Sequence, residues 1–359
     1  MIKYFDTFID LDLTAPGILL RINTVNCVGA MGKGIALEFK QRYPEMFKQY
    51  QKDCEAKLYQ PGHPKVWLDP VKGDTIINFP TKDHWRDNSQ YEWIETGLQW
   101  LAEYLTNHHV GSYIDVPPLG CGNGGLSWVR VSALITHYLK AVPCHTMVYS
   151  PPEYHNMKGY LTCVGSQSTP PDILEIMYRL GVAFVQRGWC IRSGAAKGAD
   201  SAFQAGAESV MGYHPASSEI YVCSPSRMRR GAQNYYLGQD LVTWDKAAEL
   251  AGEIHPAWSM MQNKVAAGDP KDVEKYTYFM ALHTRNMFQV LGASLNLPSK
   301  ALYCWAPPQG SGVKGGTNVA WQAAKRAGIP TYNLHDDETR EKVLTWLEAH
   351  EAQVKAKAT

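Results

Sequence analysis

One succession dominates this sequence: an apolar strand, a loop of small residues, then an amphipathic helix. The run GILLRIN at 17–23 reads as a buried strand, followed by a glycine-rich loop and a helix from about Gly34 to Tyr43 that Pro44 stops. Thr75–Phe79 is a second apolar strand. Ser89 and Glu92 have capping-box spacing, and Ile94, Leu98, Leu101 and Leu105 form the helical stripe behind them. Ser112–Val116 is a third strand, again followed by glycines, and Val131, Leu134, Ile135 and Tyr138 line the next helix. The pattern then restarts with a strand at Tyr160–Val164. Thr169 with Asp172 reads as the cap of a helix that opens on Pro170 and buries Ile173, Ile176, Met177, Leu180 and Phe184. Further strands fall at Trp189–Arg192, Ile220–Cys223 and Ala301–Trp305, and Thr317–Ala327 is a helix ended by Gly328. Strands that alternate with helices run parallel, because each helix carries the chain back along the sheet. The expected class is therefore α/β, with mostly parallel sheets covered on both faces.

The break in the pattern lies at Pro151-Pro152-Glu153-Tyr154-His155-Asn156, so two domains are expected, 1–155 and 156–359, as the 359-residue length also suggests. The stretch 225–270 fits the alternation poorly and reads as a partly helical insertion. The charge balance of +1 excludes a global basic field for nucleic acid but leaves room for a local groove. No apolar run approaches the ~18 residues that cross a membrane. The N-terminal MIKYFDTFIDLD carries acids where a signal peptide has its apolar core, so a cytoplasmic protein is expected, with its eight cysteines as thiols. They form no CxxC pair, and neither a metal nor a cofactor is expected.

The first loop, Asn23-Thr24-Val25-Asn26-Cys27-Val28-Gly29-Ala30-Met31-Gly32-Lys33-Gly34-Ile35, sets three glycines between a strand and a helix. Glycine lets backbone N–H groups approach a ligand, and the helix N-terminus behind them favours an anion. A phosphate or diphosphate is the natural guest; a tight turn without a ligand is the alternative. The second loop, Gly120-Cys121-Gly122-Asn123-Gly124-Gly125-Leu126, has more glycine than a turn needs. Two such loops at strand ends of one sheet can clamp a diphosphate. Neither is a Walker A sequence.

Together, NTVNCVGAMGKGIALEF, NFPTKDHWR and PPLGCGNGGLSW resemble a macrodomain of the DarG type, the DNA ADP-ribosyl glycohydrolase antitoxins, over about residues 1–150. The resemblance implies an α/β/α fold on a mixed sheet and an ADP-ribose pocket. Its wall would be Asn23, Asn26, Gly29, Met31, Gly32, Gly34 and Ile35 from the first loop and Gly120, Cys121, Gly122, Asn123, Gly124, Gly125 and Leu126 from the second. It gives Lys82 a role at the C1″ carbon of the distal ribose, where residue type alone suggests a solvated loop lysine. His84 becomes a proton-transfer candidate, and Asp6 a partner of the adenine amino group, although Phe5 replaces the usual preceding glycine. Some relatives that act on protein carboxylates have an aspartate in the second loop; Asn123-Gly124-Gly125 has none, which favours the DNA-directed branch.

In the second half, Ser193-Gly194-Ala195-Ala196-Lys197-Gly198-Ala199-Asp200 and Lys314-Gly315-Gly316-Thr317 resemble the SLOG superfamily of DprA-like and LOG-like Rossmannoid domains, over roughly 159–335. That likeness implies a nucleotide-type ligand over Gly165, Ser166, Gln167, Ser193, Gly194, Lys197, Gly198, Asp200, Gly310, Gly315, Gly316 and Thr317, and leaves a homo-oligomer through this domain open. The LOG glutamate three residues after the threonine is Ala320 here, so binding without cleavage is expected. Arg227, Arg229 and Arg230 suit a phosphate backbone or a solvated turn, and Trp244, Trp258 and Trp305 suit base stacking or a core. The combined expectation is a hydrolase that removes ADP-ribose from single-stranded DNA, coupled to a nucleotide-binding module. The alternative is an enzyme or sequestering protein for NAD-derived signalling nucleotides.

Overall fold

The computed structural model describes residues 2–5, 19–71, 73–210, 212–230 and 232–358. Asp6 and the first two residues of the expected 17–23 strand lie outside them. The chain forms two compact units, Met1–His155 and Asn156–Thr359.

The first unit runs β1 (Ile2–Phe5), β2 (Leu19–Val25), α1 (Gly34–Arg42), α2 (Pro44–Glu55), β3 (Lys65–Leu68), β4 (Thr75–Pro80), α3 (Tyr91–His108), β5 (Tyr113–Val116), α4 (Trp128–Leu139) and β6 (His145–Tyr149). The sheet order is β1-β6-β5-β2-β4-β3, parallel except for β3, which is antiparallel to β4. Every residue of β4 is buried, as in a strand covered on both faces. The α3 stripe Ile94, Leu98, Leu101 and Leu105 is fully buried, and a second cluster gathers Phe39, Met46, Tyr50 and Tyr59 against Ile76. The helix expected from about Gly34 to Tyr43 ends at Arg42 with Tyr43 as its C-cap, and Pro44 opens α2, where its missing N–H costs nothing. One expectation needs correcting. Ser89 does not cap α3, whose N-cap is Gln90 without a side-chain bond, because Ser89 is drawn into the second glycine loop through its N–H to Gly124 O at 2.9 Å.

The second unit runs β7 (Gly159–Cys163), α5 (Pro171–Gln186), β8 (Trp189–Ser193), α6 (Ala199–Glu208), β9 (Ser218–Val222), β10 (Tyr235–Leu237), α7 (Trp244–Ile254), α8 (Trp258–Ala266), α9 (Pro270–Leu291), β11 (Ala301–Cys304), a hairpin of β12 (Pro308–Gln309) and β13 (Gly312–Val313), α10 (Thr317–Arg326), β14 (Thr331–Asn333) and α11 (Asp337–Ala358). Its six-stranded sheet, β10-β9-β8-β7-β11-β14, is parallel throughout and Rossmann-like. Ile173, Met177, Leu180 and Phe184 of α5 join Phe203 and Ala207 of α6 in its core. The Thr169 cap is another correction: its hydroxyl donates to Ser166 O at 2.7 Å, and Pro170 takes the N-cap position. The 225–270 stretch is expected to be a partly helical insertion. It supplies β10, the edge strand, paired in register with β9, and then α7 and α8; a three-residue strand is too short to announce itself by periodicity.

The long helix α9 starts cleanly. Asp269 accepts from the N–H groups of Lys271 and Asp272, and Pro270 occupies the first position. Its C-terminal half buries Met287, Phe288 and Val290, but also Thr284, Arg285, Asn286 and Gln289. Beneath it lies a buried ion pair, Arg192 Nε to Glu219 Oε2 at 2.6 Å, with Tyr221 donating its hydroxyl to the same oxygen. No helix among the described residues is long and apolar enough to cross a membrane.

Candidate functional site

In the first unit β4, β2 and β5 are consecutive neighbours, so the segments that leave their C-terminal ends meet at one sheet edge. The chain leaves β2 toward β4 and leaves β5 toward β6, which makes the β2–β5 gap a switch point, the usual ligand position in open α/β sheets. The first glycine loop follows β2, the second follows β5, and Lys82 follows β4.

The Asn26 side chain shapes the first loop from within. Its Oδ1 accepts from the N–H groups of Val28 (3.0 Å) and Ala30 (3.3 Å), its Nδ2 donates to Ala30 O at 2.6 Å, and the Tyr50 hydroxyl bonds Asn26 O at 2.8 Å. Asn26 therefore holds the loop's curve. Gly29 completes it in the left-handed region at φ 79°. Asn23 and Met31 lie buried underneath; Asn23 Nδ2 donates to Asn78 Oδ1 at 2.8 Å. Ile35, on the first turn of α1, is half-buried. Gly32 is exposed, and a Cβ built there meets nothing within 4 Å.

In the second loop Leu126 N–H closes on Gly120 O at 3.0 Å. A Cβ on Gly124 would stand 2.2 Å from Gly120 O and 2.4 Å from Ser89 Oγ, so only glycine fits, whereas Gly122 faces open space. Gly125 at φ 76° and Gly120 at φ 68° need their freedom too. Burial pushes the Cys121 thiol up, which keeps it protonated and unsuited to nucleophilic work.

Lys82 reaches across to this loop. Its Nζ donates to Asn123 O at 2.6 Å and to Trp85 O at 3.5 Å. Partial burial lowers its pKa, and Asp87 acts in the opposite sense. The same segment is stitched to the first loop: Cys27 N–H donates to Asp83 O at 2.8 Å, and the Cys27 thiol contacts Lys82 O at 3.4 Å. The fold thus brings Lys82 and both glycine loops together. His84 turns elsewhere; its Nδ1 accepts from Arg86 N–H at 3.2 Å and its ring lies 5.3 Å from that of Trp85.

The second unit repeats the arrangement. The chain leaves β7 toward β8 and leaves the neighbouring β11 toward β14, so its switch point lies between β7 and β11. A cavity of about 660 Å³ opens there, walled by Gly165, Ser166 and Gln167 after β7, Gly315, Gly316 and Thr317 at the start of α10, and Asp200. Asp200 is buried and spans two loops: Oδ1 accepts from Gly165 N–H (3.2 Å), and Oδ2 from Gly194 (3.1 Å) and Ala196 (3.5 Å). Burial raises its pKa despite these bonds and the nearby Arg285. Ala195 sits at φ 52°, a strained setting for a residue with a Cβ. Five expected residues fall away from the wall. Ser193 is buried with its hydroxyl on Cys163 O, Lys197 is exposed, Gly198 packs under Ser166 and Gln167, and Gly310 turns the β12–β13 hairpin. Gly194 packs against Arg285 and Gln289.

The opposite wall comes from residues that sequence patterns did not mark. Arg285, 8% exposed, donates to Gly194 O at 2.6 Å, yet its Nε has no partner among the described residues. Asn286 donates to Gly316 O at 3.0 Å. Neither amide atom of the fully buried Gln289 has a partner. Lys314 adds a cation, and Met260, Tyr276 and Phe279 an apolar side. The His255 and His283 rings lie with centroids 4.2 Å apart, tilted by 40°; burial first, then the charges of His255 and Arg285, lowers His283 to about 4. Of the basic turn, Arg229 is paired with Glu208 at 3.0 Å, and Arg227 donates to Ala195 O at 3.4 Å. Trp258 is buried, Trp244 stacks on Phe288, and Trp305 lies 5.5 Å from the His335 ring.

The family match falls within the first unit. Residues 22–135 match the Macro domain family. A DNA ADP-ribosyl glycohydrolase of Mycobacterium tuberculosis is 46% identical over 135 residues, which is 36% of this chain and 38% of that protein. The solved macrodomain of Thermus aquaticus DarG is 42% identical over 42% of this chain and 99% of that one, with a TM-score of 0.38. Thermosipho africanus DarTG, solved in complex with ADP-ribose, is 30% identical over 43% of this chain and 40% of its own, with a TM-score of 0.36. The matched stretch spans only about 38% of the curated relative's length. By its sequence the N-terminal region of this chain is a macrodomain of the DarG type, homologous to the DNA ADP-ribosyl glycohydrolases.

Proposed function

We propose that this chain hydrolyses the bond between the C1″ carbon of ADP-ribose and a nitrogen of a DNA base. The diphosphate lies between the two glycine loops, where open space stands over Gly32 and Gly122. The observation that carries the reading is Lys82: a partly desolvated amine fixed 2.6 Å from the second loop, beside where a distal ribose would project. Desolvation favours the neutral amine, and the neutral amine is what a nucleophile or base at C1″ requires. In the net reaction the C1″–N bond breaks with its electron pair going to the base nitrogen, which takes a proton, while water supplies the hydroxyl on C1″. The relatives' activity and the ADP-ribose in Thermosipho africanus DarTG support the substrate class. Incubation with an ADP-ribosylated single-stranded oligonucleotide should release free ADP-ribose; a chain that releases none overturns the reading.

For the second unit we infer a SLOG-like module that binds a nucleotide-type ligand without cleaving it. The Gly315–Thr317 turn opens a ten-residue helix toward the cavity, with Lys314 and Arg285 beside it, a setting for an anion. The apolar wall suits a base. A rise in melting temperature with adenine nucleotides or ADP-ribose, lost in Gly316→Trp, is the check.

A further inference from the structure

We propose that Trp85 is the platform on which the acceptor nucleobase stacks while ADP-ribose is removed; this rests on the reading of Lys82 given above. Trp85 is 51% exposed, one of the few large rings left open to solvent among the described residues of the first unit. Its own carbonyl accepts from Lys82 Nζ at 3.5 Å, so indole and amine share one turn. The turn is tied down: Asp87 N–H bonds His84 O at 3.0 Å, Arg86 N–H bonds His84 Nδ1 at 3.2 Å, and Ser89 N–H bonds Gly124 O at 2.9 Å. The guanidinium of Arg86 stands 4.6 Å from the indole centroid, and the His84 ring is inclined to it by 31°. The indole is thus held in place with half of its surface open to solvent.

What this turn offers is a π-face rather than a phosphate grip. Its cations Lys82 and Arg86 are matched by Asp83 and Asp87, so no local excess of positive charge attracts a nucleic-acid backbone. An exposed indole that carries a guanidinium over it is a setting in which single-stranded bases stack, on the indole surface that Arg86 leaves open. The reaction places a base there of necessity. The scissile bond joins C1″ of ADP-ribose directly to the base, so when that C1″ meets Lys82 the base lies near the Trp85 turn. A base inside a duplex has no free face to give, which makes the substrate single-stranded or extruded.

The test uses the full chain and the variants Trp85→Ala and Trp85→Phe. Affinity for free ADP-ribose, measured by calorimetry, should match wild type in both, since the indole buries little of the fold and touches only the base. On an ADP-ribosylated single-stranded oligonucleotide, kcat/KM should fall about ten-fold or more in Trp85→Ala and recover most of that loss in Trp85→Phe. An active wild type with Trp85→Ala within about two-fold of it overturns this inference alone. Loss of ADP-ribose affinity in Trp85→Ala also overturns it, because the indole would then be supporting the pocket. A wild type inactive on the oligonucleotide overturns the hydrolase reading and this inference with it.

Discussion

The two units solve one geometrical problem with different materials. Each sets a candidate site at the switch point of a parallel sheet, where two neighbouring strands send the chain in opposite directions. The first builds its site from loop backbone, shaped by Asn26 and by glycines that admit no side chain, and adds one amine. The second surrounds its cavity with buried polar side chains from a helix, several of them unpaired. A backbone cradle is set once the loop folds. A cavity lined by the Gln289 amide and the Arg285 Nε, both without a partner among the described residues, carries a standing cost that a ligand can relieve.

Four measurements break or sharpen that contrast. The largest effect is expected from Glu219→Leu, which leaves the Arg192 guanidinium buried without its carboxylate. Removing one partner of such a pair costs about 3–5 kcal/mol. Calorimetric unfolding of the full chain should show the second unit's transition falling while the first unit's stays; equal falls would mean that the two do not unfold separately. Next, Lys82→Ala should lower turnover about a hundred-fold with unchanged ADP-ribose affinity and melting temperature. The wild-type rate should rise with pH and level off below the ordinary lysine range, since burial lowers this pKa and the neutral amine is the active form. A rate indifferent to pH would remove the amine from the chemistry.

A third effect separates the units by pH. His283 holds its proton less tightly in the fold, about 4 against the ordinary 6.5. The unfolded chain therefore binds the extra proton between those values. The second unit should be at full strength above pH 6.5 and weaken as pH falls toward about 4, and His283→Gln should flatten that slope. The smallest effect is Gln289→Leu. Replacing an unpaired buried amide by an apolar side chain of similar size should leave the empty second unit as stable or about 1 kcal/mol more so, while abolishing any gain from nucleotide. A clear loss of stability would show that Gln289 already has a partner.

The same contrast governs what was legible in the sequence. Glycine loops between a strand and a helix are local features, so the switch-point loops and the α/β class could be read directly. Arg285, Asn286 and Gln289 could not. In a helix, polar residues ordinarily mark the solvent side, and only the tertiary fold turns these three toward a cavity. The two expected caps failed for a related reason. Ser89 and Thr169 have the right spacing, but the Ser89 backbone N–H is held at Gly124 O while its hydroxyl finds no partner among the described residues, and the Thr169 hydroxyl turns back three residues to Ser166 O. The short β10 strand depended on neighbours in space as well.

The stitching of the Lys82 segment to the second glycine loop has one more consequence. Lys82 Nζ on Asn123 O and Ser89 N–H on Gly124 O leave the amine and the phosphate cradle no room to slide past one another. Joined in this way they act as a ruler. In the proposed reading, a guest is measured by the span from its diphosphate to its reacting carbon. A shorter phosphorylated sugar fills the cradle and stops short of the amine, so it blocks the site without being consumed.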